Sequence, residues 1–203
     1  MSDARTVGIL IFDDVEVLDF CGPFEVFSVA RAPDATTDDD ALFRAIVIAE
    51  EDRIINCRGG LLVQPHYTIS NHPDLDILVV PGGKGTRRER YNQRLLDWIT
   101  LQDPKLELLT SVCTGAFLLA EAGKLSGLQA TTHWASVEHM RETYSDIQMR
   151  DETRFVDQGR VITSAGISAG IDMSLHIVER LNGPDTAAWT ARRMEYDWQR
   201  TGV

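Results

Sequence analysis

Four short apolar runs, three of them followed by helix-forming residues, constrain this chain more than any other feature. They are Val7 to Phe12, Leu42 to Ala49, Asp76 to Val80 and Leu106 to Val112. Runs this short and this continuously apolar suit strands buried on both faces. The segments between them carry apolar residues at helical spacing. In Arg88 to Leu101, for example, Tyr91, Leu95, Trp98 and Ile99 fall on one face and are expected in the core. Strands that alternate with helices predict an α/β fold: a mostly parallel sheet covered by helices on both sides. A length of 203 residues fits one such domain, residues 1–203, around one core. In sheets of this kind, ligands bind beyond the C-terminal ends of the strands.

The fourth run ends at Cys113, and Thr114 and Gly115 separate it from the helix formers Ala116 to Ala122. A cysteine at such a strand-to-helix turn would stand above the sheet edge, as in a nucleophile elbow. The unpaired N–H groups of a first helical turn favour thiolate over thiol, so the spacing predicts a reactive sulfur. A small buried cysteine would show the same local pattern. Three other features share the sheet edge. Asp19 follows the first run, just ahead of a helix predicted from Gly22-Pro23 to Arg31; taken alone, it is better explained by helix capping or dipole pairing. Gly82 and Gly83 follow the third run, where free N–H groups can face a ligand or merely allow a tight turn. His133 ends a short strand that begins at Ala130, and a structural hydrogen bond at a helix start would also explain it. Each feature alone is weak, and their shared address is what points to a site.

Smaller elements complete the pattern. Leu61 to Val63 reads as a hairpin arm, and Ile147 to Arg150, Arg154 to Val156 and Val161 to Ser164 read as short strands. Helices are expected over Ile167 to Leu181 and Thr186 to Trp198, and residues 33–41 form an acidic, solvated loop. A formal charge of −11 argues against a nucleic-acid surface, which needs clustered Lys and Arg. No apolar run approaches the roughly 20 residues of a membrane span. The N-terminal stretch has neither a basic region nor a small-residue cleavage site, so no signal peptide is expected. The three cysteines, at 21, 57 and 113, form no even framework and no metal-type spacing, which suits a reducing, cytoplasmic setting. Cys57 is read as structural; Cys21 is a second thiol near Asp19 but lacks an elbow.

The runs Leu18-Asp19-Phe20-Cys21-Gly22-Pro23, Val79-Val80-Pro81-Gly82-Gly83, Ser111-Val112-Cys113-Thr114-Gly115-Ala116, Ala130-Thr131-Thr132-His133-Trp134, and Thr163-Ser164-Ala165-Gly166 with Gly170-Ile171-Asp172 together resemble the ThiJ/PfpI superfamily, within the class-I glutamine-amidotransferase-like group. The resemblance implies a flavodoxin-like three-layer sandwich, commonly a homodimer, with a cysteine nucleophile elbow. It also implies a small-molecule substrate and neither cofactor nor metal. Protease-like and deglycase members usually carry His directly after the nucleophile and Glu near the first strand. Here Thr114 and Asp19 take those places, a combination similar to isocyanide (isonitrile) hydratases and to the N-terminal domain of AraC-type regulators. By that resemblance Cys113 is the nucleophile and Asp19 the proton carrier, with an acid whose pKa is raised by the neighbouring anionic sulfur. Gly82, Gly83 and Thr114 are then oxyanion or substrate-binding residues. The regulators add a helix-turn-helix domain, and no segment here is expected to be one. A non-catalytic sensor of a metabolite or of oxidation is the first alternative. A peptidase, amidase or glyoxalase-like enzyme is the second, and a peptidase or amidase would need His133 beside Cys113.

Overall fold

Residues 4–35, 37, 40–198, 200 and 202 are described by a computed structural model. The first apolar run forms β1 (Arg5–Leu10), and the chain then turns into α1 (Val17–Val29). This helix starts at Val17, ahead of the Gly22-Pro23 start that the sequence predicts, so Asp19 lies within its first turn. Pro23 is tolerated inside the helix at the cost of the bond its missing N–H would have given to the carbonyl of Asp19. Next come β2 (Phe43–Ala49) and a small antiparallel hairpin of β3 (Ile55–Asn56) and β4 (Leu62–Val63), the predicted extra arm. Then follow β5 (Tyr67–Thr68) and β6 (Ile77–Val80).

The single helix predicted over Arg88 to Leu101 is two: α2 (Thr86–Glu89) and α3 (Gln93–Gln102). Asn92 interrupts them, its side chain accepting from Leu95 N–H as an N-cap. Tyr91 is left in the gap and is 73% exposed, so it is not the core residue its spacing implied. Leu95, Trp98 and Ile99 are buried as expected. Beyond them lie β7 (Leu108–Val112), a tight turn over Cys113–Gly115, and α4 (Ala116–Glu121). The rest of the chain gives β8 (Gln129–Ala130), α5 (Val137–Thr143), β9 (Gln148–Met149), β10 (Phe155–Gln158), β11 (Val161–Ser164), α6 (Ala169–Asn182) and α7 (Pro184–Arg193). The last helix stops at Arg193, short of Trp198. In the acidic loop, positions 36, 38 and 39 lie outside the described residues.

Seven strands form the main sheet in the order β10-β11-β7-β6-β1-β2-β5, and all pair in parallel except β10 with β11. The helices α1, α6 and α7 pack on one another, and α4 packs with α2 and α3, giving the helix–sheet–helix sandwich. At the centre, Ile77 to Val80 and Leu108, Leu109 and Val112 are fully buried. At about 1.5–3 kcal/mol for each side chain of this kind, the central strands make a rigid platform for what their C-terminal ends carry. The strand before His133 does not belong to that platform. β8 pairs in parallel with β9 in a separate two-stranded sheet.

Candidate active site

β7 delivers Cys113 to the turn in a left-handed conformation, φ 56°, which side chains other than glycine and asparagine rarely adopt. Neighbours on both flanks hold it there. Cys113 N–H donates to the Ala165 carbonyl at 3.2 Å, and the Thr132 hydroxyl donates to the Cys113 carbonyl at 2.8 Å. Strain of about 1–3 kcal/mol at one such residue persists only where its surroundings over-determine it, and these bonds supply that constraint. The sulfur is almost fully enclosed, the residue being 5% exposed.

Asp19 reaches the same point from α1. The start of that helix is fastened to the loop after β6 by a short antiparallel contact between Val15 and Gly83, with Glu16 N–H donating to the Gly82 carbonyl at 3.0 Å. Gly82 N–H donates back to Asp19 Oδ2 at 3.0 Å. Both glycines are required by this approach. A Cβ on Gly82 would lie 2.6 Å from Thr114 N and 2.8 Å from Asp19 Oδ2; one on Gly83, whose φ is 123°, would lie 2.4 Å from Glu16 N. Asp19 has no solvent exposure, and its Oδ1 has no hydrogen-bond partner.

Burial pushes the Asp19 carboxyl up to about 7, against the Gly82 N–H that favours its ionised form; the Glu16 carboxylate adds to the rise, while the Cys113 thiol and the Arg58 guanidinium oppose it. The rise thus comes from burial rather than from an anionic sulfur. Burial also pushes the Cys113 thiol up to about 12, assisted by the charge of Asp19 and by the hydrogen bond between the two groups. The Thr114 N–H and hydroxyl favour the thiolate but are outweighed. The thiolate expected from the helix start is therefore corrected. At rest the pair is a thiol beside a carboxyl group that titrates near neutrality.

The two glycine N–H groups are corrected as well. Gly82 N–H is given to Asp19, and Gly83 N–H donates to Thr114 Oγ1 at 3.1 Å. They hold the acid and the threonine in place instead of facing a ligand. Thr114 Oγ1 also lies 3.1 Å from the Thr86 hydroxyl, which is itself 2.8 Å from the Gly83 carbonyl. His133 lines the same cavity as Cys113, but its Nδ1 accepts from Ala135 N–H at 3.2 Å. Among the described residues no hydrogen bond joins it to Cys113, so a Cys–His pair is not formed. Cys21 is half-buried and Cys57 buried, and burial raises both thiols.

Cys113 and Thr114 open onto a cavity of about 590 Å³, the size of a small-ligand site. Phe117 and Ile167 give it apolar surface, and Glu16, Arg58, Lys84, Arg87 and Arg90 supply its charge. Sequence patterns missed these charged residues. They come from a helix cap, a hairpin, the loop after β6 and the broken helix, none with a recognisable spacing. Among the described residues, no group of three or more His, Cys, Asp or Glu side chains is placed to hold a metal ion. No helix there is long and apolar enough to cross a membrane.

An α/β sandwich with a cysteine held on a strand-to-helix bend has the architecture of a nucleophile elbow. Within that architecture this chain belongs to the DJ-1/PfpI family, whose model matches residues 5–180. It is 35% identical over 194 residues to an isonitrile hydratase of Pseudomonas putida, covering 95% of this chain and 79% of that protein. It is 26% identical to the HTH-type transcriptional regulator GbdR of Pseudomonas aeruginosa, where the match covers 95% of this chain and 51% of the regulator. The chain thus spans about half the length of that regulator. A ThiJ/PfpI family protein of Pseudomonas syringae superposes with a TM-score of 0.84 at 27% identity, over 97% of this chain and 76% of that one. DJ-1beta of Drosophila melanogaster, at 19% identity and a TM-score of 0.80, shares the fold.

Proposed function

We propose that this protein adds water to a small isocyanide to give an N-formamide, through a covalent thioimidate on Cys113. The observation that carries this reading is Asp19: a fully buried carboxyl with one oxygen lacking a hydrogen-bond partner, whose charge acts directly on the Cys113 thiol at the cavity floor. Such an acid can move a proton where no histidine is hydrogen-bonded to the thiol among the described residues. Similarity to an isonitrile hydratase over most of both chains supports the same chemistry.

In the first step the Cys113 sulfur bonds to the terminal isocyanide carbon while Asp19 takes the thiol proton and returns it to that carbon. The product is a thioimidate, R–N=CH–S, at Cys113. Water then adds to its carbon, with one proton of the water reaching the nitrogen through Asp19. Collapse of the resulting adduct breaks the C–S bond, returns a proton to sulfur and releases R–NH–CHO. Thr114 orients the sulfur through its N–H and hydroxyl. Every step is a proton transfer, an addition or, in the final collapse, an elimination, and no electrons are lost or gained. The same reading takes the protein to be a cytoplasmic homodimer that needs no cofactor.

The test is formamide production from an aryl isocyanide, followed by chromatography. Wild type should turn over, and Cys113→Ala and Asp19→Asn should each lose at least about a hundredfold in rate, the scale of one general acid–base group. Retention of activity by either variant removes the mechanism. A second reading, ligand sensing without turnover, is favoured by the match to GbdR along most of this chain. It predicts saturable binding and no formamide.

A further inference from the structure

The chain carries a formal charge of −11, yet four cationic side chains and a single carboxylate line the active-site cavity. These cations are not equivalent. Arg58 is engaged by Glu16, the one carboxylate in the lining. Arg90 is held by Glu121 at 2.7 Å and by the Tyr144 hydroxyl at 2.8 Å, with its guanidinium over the Phe117 ring. Lys84 and Arg87 have no side-chain hydrogen bond and no ion pair among the described residues, and both face the cavity. Elsewhere the acidic residues outnumber the basic ones and take up most of the arginines: Arg5, Arg53, Arg88, Arg94, Arg141, Arg154, Arg160, Arg180 and Arg200 are all in ion pairs. Two uncompensated cations at the mouth of one cleft, on a strongly acidic molecule, focus a local positive potential where a ligand must enter.

We propose that the substrate carries a carboxylate, held by Lys84 and Arg87, while its reactive carbon reaches Cys113. This specifies the substrate class of the hydratase reading and rests on it. The geometry of the lining supports a division of labour. Phe117 and Ile167 supply apolar surface for the body of the molecule beside the sulfur, and the two unpaired cations stand among the exposed lining residues. An Arg guanidinium can meet a carboxylate with two parallel hydrogen bonds, and Lys adds a compact second charge. Neither cation touches Asp19 or the thiol in any hydrogen bond, so anion recognition and proton transfer use separate groups.

The experiment compares 4-isocyanobenzoate with its methyl ester, reading kcat/KM for each. In wild type the carboxylate should be favoured by about tenfold, the scale of one charge-assisted hydrogen bond. The preference should fall toward unity in the Lys84→Gln/Arg87→Gln double variant and in high salt, since these side chains are exposed. Arg94→Gln, which alters a cation outside the cavity, should leave the ratio where it was. A wild-type ratio near one, or a preference that the double variant keeps, overturns the proposal while leaving hydration of the ester intact. If neither compound is turned over, the hydratase reading has failed and calorimetry decides the anion question alone. Wild type should then bind 4-formamidobenzoate at least about tenfold more tightly than 4-formamidobenzamide, and the double variant should not. Equal binding of the two by wild type refutes carboxylate recognition.

Discussion

Replacing Asp19 by Asn keeps the shape of the side chain and an oxygen for Gly82 N–H, but removes the ability to ionise. The consequence for stability follows from the carboxyl pKa, which burial raises from 3.8 to about 7. At about 1.4 kcal/mol per pH unit, ionising Asp19 in the folded chain costs about 4 kcal/mol more than in the unfolded chain. Below pH 3.8 both states hold the proton and nothing is lost. Between about pH 4 and pH 7 the unfolded chain has released its proton and the folded chain has not, so folding binds a proton and stability falls as pH rises. Above about pH 7 the full penalty remains. The thiol stays neutral in both states below about pH 8 and does not disturb the comparison. Relative to wild type, Asp19→Asn should therefore gain up to about 4 kcal/mol between pH 4 and pH 8. In urea titrations that is a relative midpoint shift of roughly 1.5 M for a slope near 2.5 kcal/mol per M. A difference between the two proteins that stays constant from pH 4 to pH 8 would refute the claim that this carboxyl is buried at a cost. On this account the wild type loses stability over the same pH range in which its acid becomes able to accept the thiol proton.

That last point sets the pH–rate profile. kcat/KM for a neutral isocyanide should rise with pH through about 7 and then level, because Asp19 must be ionised to take the thiol proton; a profile that falls over pH 6–8 contradicts the assignment. Arg58→Gln should move the inflection to higher pH and Glu16→Gln to lower pH, since the first side chain lowers and the second raises the Asp19 pKa. Gly82→Ala, whose Cβ would lie 2.6 Å from Thr114 N, should destabilise the fold and disrupt the site. The loss, measured by chemical denaturation, should be about 2 kcal/mol, as for other forced overpacking. Thr114→Val removes the acceptor of Gly83 N–H and should cost about 1–3 kcal/mol together with a drop in kcat, read by denaturation and steady-state rates.

The sheet was legible because its central strands are apolar on both faces, and no helix of ordinary length accounts for runs such as Ile77 to Val80. The elbow was legible because Cys113 breaks one of those runs immediately before good helix formers. Asp19 could be placed near the site but not in its helix: Gly22-Pro23 imitates a helix start, and nothing in the sequence shows that α1 tolerates Pro23 a turn further in. The state of the sulfur was misread because a helix start is a local feature, whereas burial and the facing carboxyl are tertiary and larger. Gly82 and Gly83 were singled out for N–H groups free to face a ligand, but those N–H groups serve Asp19 and Thr114. The strand expected to begin at Ala130 and end at His133 is realised only as Gln129–Ala130, and its place outside the main sheet depends on pairing with Gln148–Met149, a long-range choice. The charged lining had no signature at all, since its residues come together only when the loops fold over the sheet edge.

The central claim is that Cys113 becomes covalently bonded to the isocyanide carbon during turnover. Rapid acid quench of wild type with an aryl isocyanide, followed by peptide mass spectrometry, tests it most directly. Wild type should show a mass increase equal to the whole isocyanide on the peptide containing Cys113, and Cys113→Ala should show none. Formamide released at the wild-type rate with no adduct at Cys113, or an adduct on Cys21 in its place, would contradict it.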